Sequence, residues 1–242
     1  MATLLPDKIY QHLRKKLLAG ELTPGTRLDY KKIAEELGVS VTPVREAMNK
    51  LASEGLVDLV PRAGAIVRKI TRQEAEDVFR VREAIEGYAV MKAAENISPA
   101  LLSRLESLLQ QMDDVIQQEP NNPDGTYSGE PLAEFLQSDL AFHMTIIEAA
   151  NNARLTKLAA DSFILASIFG TVKFGHSREL LQQINTQHKQ IYEALRAHDS
   201  NLAYQRVQQH IKLGLDLALT RLMENQHATL WIAESGGVTS AG

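Results

Sequence analysis

Apolar residues recur at spacings of three and four along most of this chain, the period of helices with one buried face. Ile9, Leu13 and Leu17 predict a helix over residues 6–19, which Gly20 can close. Pro24-Gly25 turns the chain. A short helix over 30–37 follows, with Ile33, Ala34 and Leu37 inward and Gly38 at its end. Ser40 or Thr42 can cap the next helix, with Pro43 in its first turn and Gly55 as its stop after Glu54. Val44, Ala47, Met48 and Leu51 form its inner face, and Thr42, Arg45 and Asn49 fall on the opposite one. The pattern then changes: LVDLV and AIVRK are β-rich runs flanking PRAG, which predicts a hairpin with Arg62 and Gly64 at its tip.

From Thr71 the helical period returns and strand signal almost vanishes. Thr71-Arg72-Gln73-Glu74 is a capping-box pattern opening a helix to about residue 95. Val78, Ile85 and Ala89 lie on its inner stripe, and Arg82 shares that stripe one turn before Glu86. Ser98-Pro99 opens a second helix to about 118, and EPNNPDGTYSGE at 119–130 reads as a long loop. Further helices are expected over 131–150, 153–169, 178–197 and 200–225. The fold class is mainly α: a small module over 1–72 and an antiparallel all-helical bundle over 73–225. Residues 226–242 carry no stripe, end in GGVTSAG, and are expected to form a flexible tail.

A helix, a turn, a second helix with polar residues at its start and then a hairpin form a winged helix-turn-helix. In that arrangement Arg45 reaches a guanine edge or a phosphate, Thr42 and Asn49 reach bases or backbone, and Lys31 suits a phosphate. The alternative is a small helical domain with a solvated basic face. Charge bears on the choice. Residues 1–72 hold 13 Lys and Arg against 8 Asp and Glu, whereas 73–242 hold 13 against 22. A basic module on an acidic body suits nucleic-acid contact through one end.

Four polar residues interrupt the apolar stripes of the bundle. Asp139 and His143 stand one turn apart among Leu132, Phe135, Leu136, Ile146 and Ile147. His188 stands among Leu181, Ile184, Ile191 and Leu195, and His210 among Val207, Ile211, Gly214 and Leu217. Burying such groups is costly unless something satisfies them. One such histidine is ordinarily a hydrogen-bonded core residue; three with an aspartate point to a shared divalent ion. Imidazole and carboxylate suit Zn, Ni, Mn, Co or Fe alike. His12, His176, His198 and His227 lack this placement and are expected at the surface. The chain has no cysteine, which excludes disulfides and thiolate ligands. It also lacks any run near the roughly 20 apolar residues of a membrane span and the order of a signal peptide. A cytoplasmic protein without membrane contact is expected.

The run PGTRLDYKKIAEELGVSVTPVREAMNKLASEGLV, followed by PRAGAIV, resembles the winged helix-turn-helix of the GntR family of bacterial transcription regulators, over residues 5–70. The resemblance implies that Arg45 contacts DNA, with Lys31 and the wing from Arg62 to Gly64 in support. Val41 departs from it, since relatives often carry Arg there. Residues 74–220 resemble the all-helical FCD effector domain of the FadR subfamily. Its metal-binding members carry Asp-x-x-x-His on one helix and one His on each of two later helices. All four positions match, with 45 residues from His143 to His188 and 22 from His188 to His210. The resemblance implies a homodimer that binds a small organic acid, whose carboxylate completes the metal's open positions. Arg82 matches a pocket arginine and would clamp that carboxylate. Glu86 would orient Arg82, and Asn185 would line the pocket. Gln187, where relatives often have Glu, and the 119–130 loop depart from the common pattern.

The expectation is a sequence-specific transcription regulator, a repressor and not an enzyme. It would act as a homodimer on double-stranded operator DNA, its affinity controlled by a small carboxylate. Two alternatives stand beside it. The metal could be purely structural or itself the signal, or the chain could be a metalloenzyme with an appended DNA-binding module. The last needs a general base beside the metal that is not a ligand, and the sequence offers no strong candidate.

Overall fold

The computed structural model describes residues 4–18, 21–61, 64–170 and 175–235. Helix α1 (Leu5–Leu18), strand β1 (Arg27–Leu28), helices α2 (Tyr30–Leu37) and α3 (Val41–Ser53) and strands β2 (Val57–Val60) and β3 (Gly64–Val67) come first. The expected stripes close on one another: Ile9, Leu13 and Leu17 of α1 meet Val44, Ala47, Met48 and Leu51 of α3 in one core. The Asp29 side chain caps α2 by accepting from the Lys31 and Lys32 amides, and Gly38 ends it at φ +64°. Ser40 takes the N-cap position of α3 without a side-chain capping bond.

The wing is larger than a hairpin. Strands β1, β3 and β2 lie in that order, with β3 antiparallel to both neighbours. A two-residue strand such as β1 is too short for an alternating pattern, so the sequence offered no sign of it. Gly64 opens β3 at φ +98°, and a Cβ there would collide with the Leu28 carbonyl. Arg62, expected at the wing tip, lies outside the described residues.

The bundle comprises α4 (Arg72–Asn96), α5 (Pro99–Gln117), β4 (Thr126–Tyr127), α6 (Gly129–Ala149), α7 (Ala153–Gly170), β5 (His176–Ser177), α8 (Arg178–Arg196) and α9 (Ser200–Ser235). The capping box is present: Thr71 accepts from the Glu74 amide while Glu74 reaches back to the Thr71 amide. Arg68, just after β3, pairs with the same Glu74 and ties the wing to α4. Helix α4 runs along α9 and also packs on α6 and α7. Among the described residues no helix is long and apolar enough to cross a membrane.

Three expectations about the bundle change. The 119–130 segment is not a plain loop: β4 pairs antiparallel with β5, and the fully buried Tyr127 hydroxyl sits 2.8 Å from the Ile116 and Gln118 carbonyls. His176 is not a surface residue, being 2% exposed on β5. Helix α9 continues to Ser235, past the point where its stripe fades. No glycine or proline interrupts 226–235, so the backbone can stay helical without an apolar face; residues 236–242 lie outside the described residues.

Gly38 and Gly64 separate two costs. Around Gly38 an added Cβ meets nothing within 4 Å, so Gly38→Ala should cost only the left-handed backbone, about 1 kcal/mol. Gly64→Ala should cost more, about 3 kcal/mol, because the collision with Leu28 adds to the strain. Chemical denaturation of both variants checks this; equal losses would contradict the packing at the wing.

Candidate functional site

The spacing of four places Asp139 and His143 on adjacent turns of one face of α6. His188 enters from α8 and His210 from α9. The three histidines are buried, at 1%, 0% and 7% exposure. Their Nε2 atoms converge: His143 to His210 is 3.1 Å, His188 to His210 3.2 Å and His188 to His143 3.4 Å. Asp139 Oδ1 lies 3.4 Å from His188 Nε2, and all four donor atoms fall within 4.8 Å of one another. Bonds of about 2.0–2.1 Å to one ion, at angles between octahedral and tetrahedral, place donor pairs about 2.8–3.4 Å apart. The three ring nitrogens therefore have the spacing that a single transition-metal ion requires.

The surrounding groups aim these nitrogens. His143 Nδ1 faces Glu86 Oε2 at 2.6 Å. His210 Nδ1 donates to Gln187 Oε1 at 3.1 Å. A ring that gives its Nδ1 proton to such a partner, as His210 does to Gln187, presents a free lone pair on Nε2. Burial, and then the neighbouring positive groups, hold the His188 and His210 pKa values well below the usual imidazole range, so both are neutral near pH 7. Burial pushes the Asp139 carboxyl up, although His143 and Arg82 oppose this. Burial would also raise Glu86, but Arg82 and then His143 outweigh it and bring the carboxyl down to about 2. Imidazole nitrogens beside one poorly solvated carboxylate are suited to a divalent cation.

The cluster opens onto a cavity of about 530 Å³. Arg82 lines it, with Nε donating to Glu86 Oε1 at 2.8 Å and its guanidinium 4.4 Å from the Phe163 ring centre. Gly214 also lines the wall: a Cβ there would stand 2.9 Å from Phe79, so its bare backbone allows α9 to approach α4. Glu86 thus joins Arg82 to His143 in one buried relay. Asn185 does not line the cavity. Its amide instead donates to Asp113 Oδ1 at 2.7 Å and to the Leu109 carbonyl at 3.3 Å, joining α8 to α5. At the other end of the molecule Lys31, Thr42, Arg45 and Asn49 are exposed, with α3 buried along its opposite face. Among the described residues no acid pairs with Lys31 or Arg45.

A family model described as the FCD domain matches residues 77–213, and one described as bacterial regulatory proteins of the gntR family matches residues 5–67. The chain is a GntR-family transcription regulator with an FCD domain. Among the relatives of this GntR-family chain, the regulator McbR of Escherichia coli is 35% identical over 105 residues, which span 43% of this chain and 48% of that protein. The repressor RspR of Escherichia coli is 28% identical over 85% of each chain. The gluconate operon repressor of Bacillus subtilis is 28% identical over 84% of this chain and 80% of its own length. The solved structure of E. coli McbR/YncC superposes with a TM-score of 0.75 at 22% identity, over 90% of this chain and 99% of that one. A putative GntR regulator from Rhodococcus gives 0.72 at 22% identity, over 89% and 97%. The family is one of regulators, so the metalloenzyme alternative is discarded.

The GntR-family sequence hid some of its site. Gln187 stood out only as a departure from relatives, yet its carbonyl orients His210. His176 and Arg221 lie 3.1 Å apart on the same cavity, one on a two-residue strand and the other beyond the last clear turn of a stripe. Arg14 reaches the cavity from α1, an approach between modules that no local pattern encodes.

The depressed histidines fix a pH dependence for the metal-free regulator. With folded values below the ordinary 6.5, the unfolded chain takes up more protons as pH falls through that point. Stability from this source is therefore present above about pH 6.5 and lost below it. Urea denaturation of chelator-treated protein should show a lower midpoint at about pH 5.5 than at about pH 7.5; an unchanged midpoint would contradict the burial of neutral imidazoles.

Proposed function

We propose that this GntR-family protein, of the FadR subfamily, is a cytoplasmic repressor whose operator affinity is set by a small carboxylate bound at a metal. Asp139, His143, His188 and His210 hold the ion. The observation that carries this reading is the convergence of three buried Nε2 atoms and one carboxylate on the wall of a cavity that also presents Arg82. When bound, a divalent ion supplies open coordination positions to a carboxylate oxygen. Arg82 keeps its terminal nitrogens for the same carboxylate while its Nε is held by Glu86. Glu86 and Gln187 set the ligand rings.

Residues 1–72 read DNA and residues 73–225 read the acid. Arg45, Thr42 and Asn49 face the major groove, Lys31 a phosphate, and the wing from Arg62 through Gly64 the neighbouring backbone. A homodimer matches a palindromic operator, since the two-fold symmetry of the protein is mirrored in its site. The relatives named as repressors support the sign of regulation. A purely structural ion would need neither the adjoining cavity nor an arginine aimed into it. The acid acts by its differential affinity for two arrangements of the modules.

The test is operator binding by fluorescence anisotropy, on a duplex selected from a random pool by the full-length protein. For the metal-loaded wild type, some member of a panel of organic acids should change operator affinity by about 5–150-fold. The effect should vanish in His188→Ala. Arg45→Ala should weaken operator binding by about 1–3 kcal/mol without altering acid binding. A metal-loaded wild type indifferent to the whole panel would overturn the sensing reading; an ion effect without any acid would make the metal itself the signal.

A further inference from the structure

The cavity does not end at Arg82. Arg14 and Lys15 of α1, His176 of β5 and Arg221 of α9 also line it. Along α9, His210, Gly214, Leu217 and Arg221 line the same cavity. At about 1.5 Å rise per residue, the backbone of Arg221 lies about 16 Å along the axis from that of His210. Helical side chains lean toward the N-terminus, so Arg221 points back toward the metal cluster. Gly214, Leu217, Leu213 and Phe79 supply the wall between, which is apolar.

The charge on that wall is mainly positive, although Arg82 is already paired with Glu86. Arg14, Lys15, Arg82 and Arg221 face the cavity, and among the described lining residues Asp139 is the one carboxylate. Arg221 is 9% exposed and its Nη2 lies 3.1 Å from His176 Nε2. A guanidinium can only donate, so the ring nitrogen accepts and His176 orients Arg221 without adding charge. Arg14 Nε is buried and finds no hydrogen-bond partner among the described residues. The burial is of that nitrogen, since Arg14 as a whole is partly exposed, and an unmet buried donor is costly. Arg14 and Arg221 both line the cavity, so an anion held there has two guanidinium groups to accept from.

We infer that Arg14 and Arg221 form a second anion-binding pole, and that the cavity takes an elongated dianion with an apolar middle, a dicarboxylate being its simplest form. This rests on the reading in which the first carboxylate binds at the metal and Arg82. It also gives the ligand a direct hold on the DNA-reading module, because Arg14 belongs to α1, which packs on α3. A ligand that spans both poles bonds α1 to the bundle. A monocarboxylate of equal length reaches the metal pole and leaves Arg14 unengaged.

Calorimetry on metal-loaded full-length protein tests the inference with matched pairs of probes: succinate and butanoate, adipate and hexanoate, suberate and octanoate. In the wild type, at least one dicarboxylate should bind about tenfold or more tightly than its monocarboxylate partner. In Arg221→Gln that ratio should fall toward one. Arg14→Gln, at a half-exposed position that folding tolerates better, should lower the same ratio. Equal affinities within every pair, or a ratio that survives in both variants, would overturn the second pole and leave the metal-bound carboxylate standing. Binding of neither class would overturn both readings.

Discussion

Three buried imidazole nitrogens 3.1–3.4 Å apart repel one another if protonated and crowd their lone pairs if neutral. The rest of the bundle is arranged around that constraint. Burial keeps His188 and His210 neutral, Glu86 and Gln187 turn the ring lone pairs of their partners inward, and Asp139 adds a carboxylate that burial disfavours. The helices supply the site through tight packing: α6 brings two donors from adjacent turns, and α8 and α9 bring one each. Gly214 lets α9 approach closely enough for His210 to take part. A shared cation would turn this costly arrangement into a favourable one.

Two connections join that centre to the DNA-reading end. Arg68 and Glu74 tie the wing to the start of α4, the helix that carries Arg82 and Glu86. Helix α1, which packs on the recognition helix α3, places Arg14 on the wall of the cavity that His143 and His210 also line. A ligand that draws on these groups changes the energy of one arrangement of modules relative to another, which is what regulation by differential affinity requires.

Long, regular stripes made the helices legible. Ile9, Leu13 and Leu17, or Leu181, Ile184, His188, Ile191 and Leu195, declare both the helix and its buried face, and a polar residue within such a stripe is conspicuous. Thr71 and Glu74 marked the start of α4, and Gly38 the end of α2, because both signals act within a few residues. What escaped depends on tertiary context. Strands β1, β4 and β5 have two residues each, too few for a period. The burial of His176 follows from the β4–β5 pairing, and the contact of Asn185 with α5 from the rotation of α8. Helix α9 outlasts its stripe because nothing in 226–235 breaks the backbone.

The central claim is that Asp139, His143, His188 and His210 hold a transition-metal ion in the protein as it is made. Native mass spectrometry of full-length protein, purified without chelators or an affinity metal, addresses it directly. The account predicts a mass increment of one divalent transition-metal ion per chain, lost on dialysis against a chelator and absent from His188→Ala. A wild type at the mass of the bare chain, unchanged when Zn, Ni, Mn, Co or Fe is added, would contradict it.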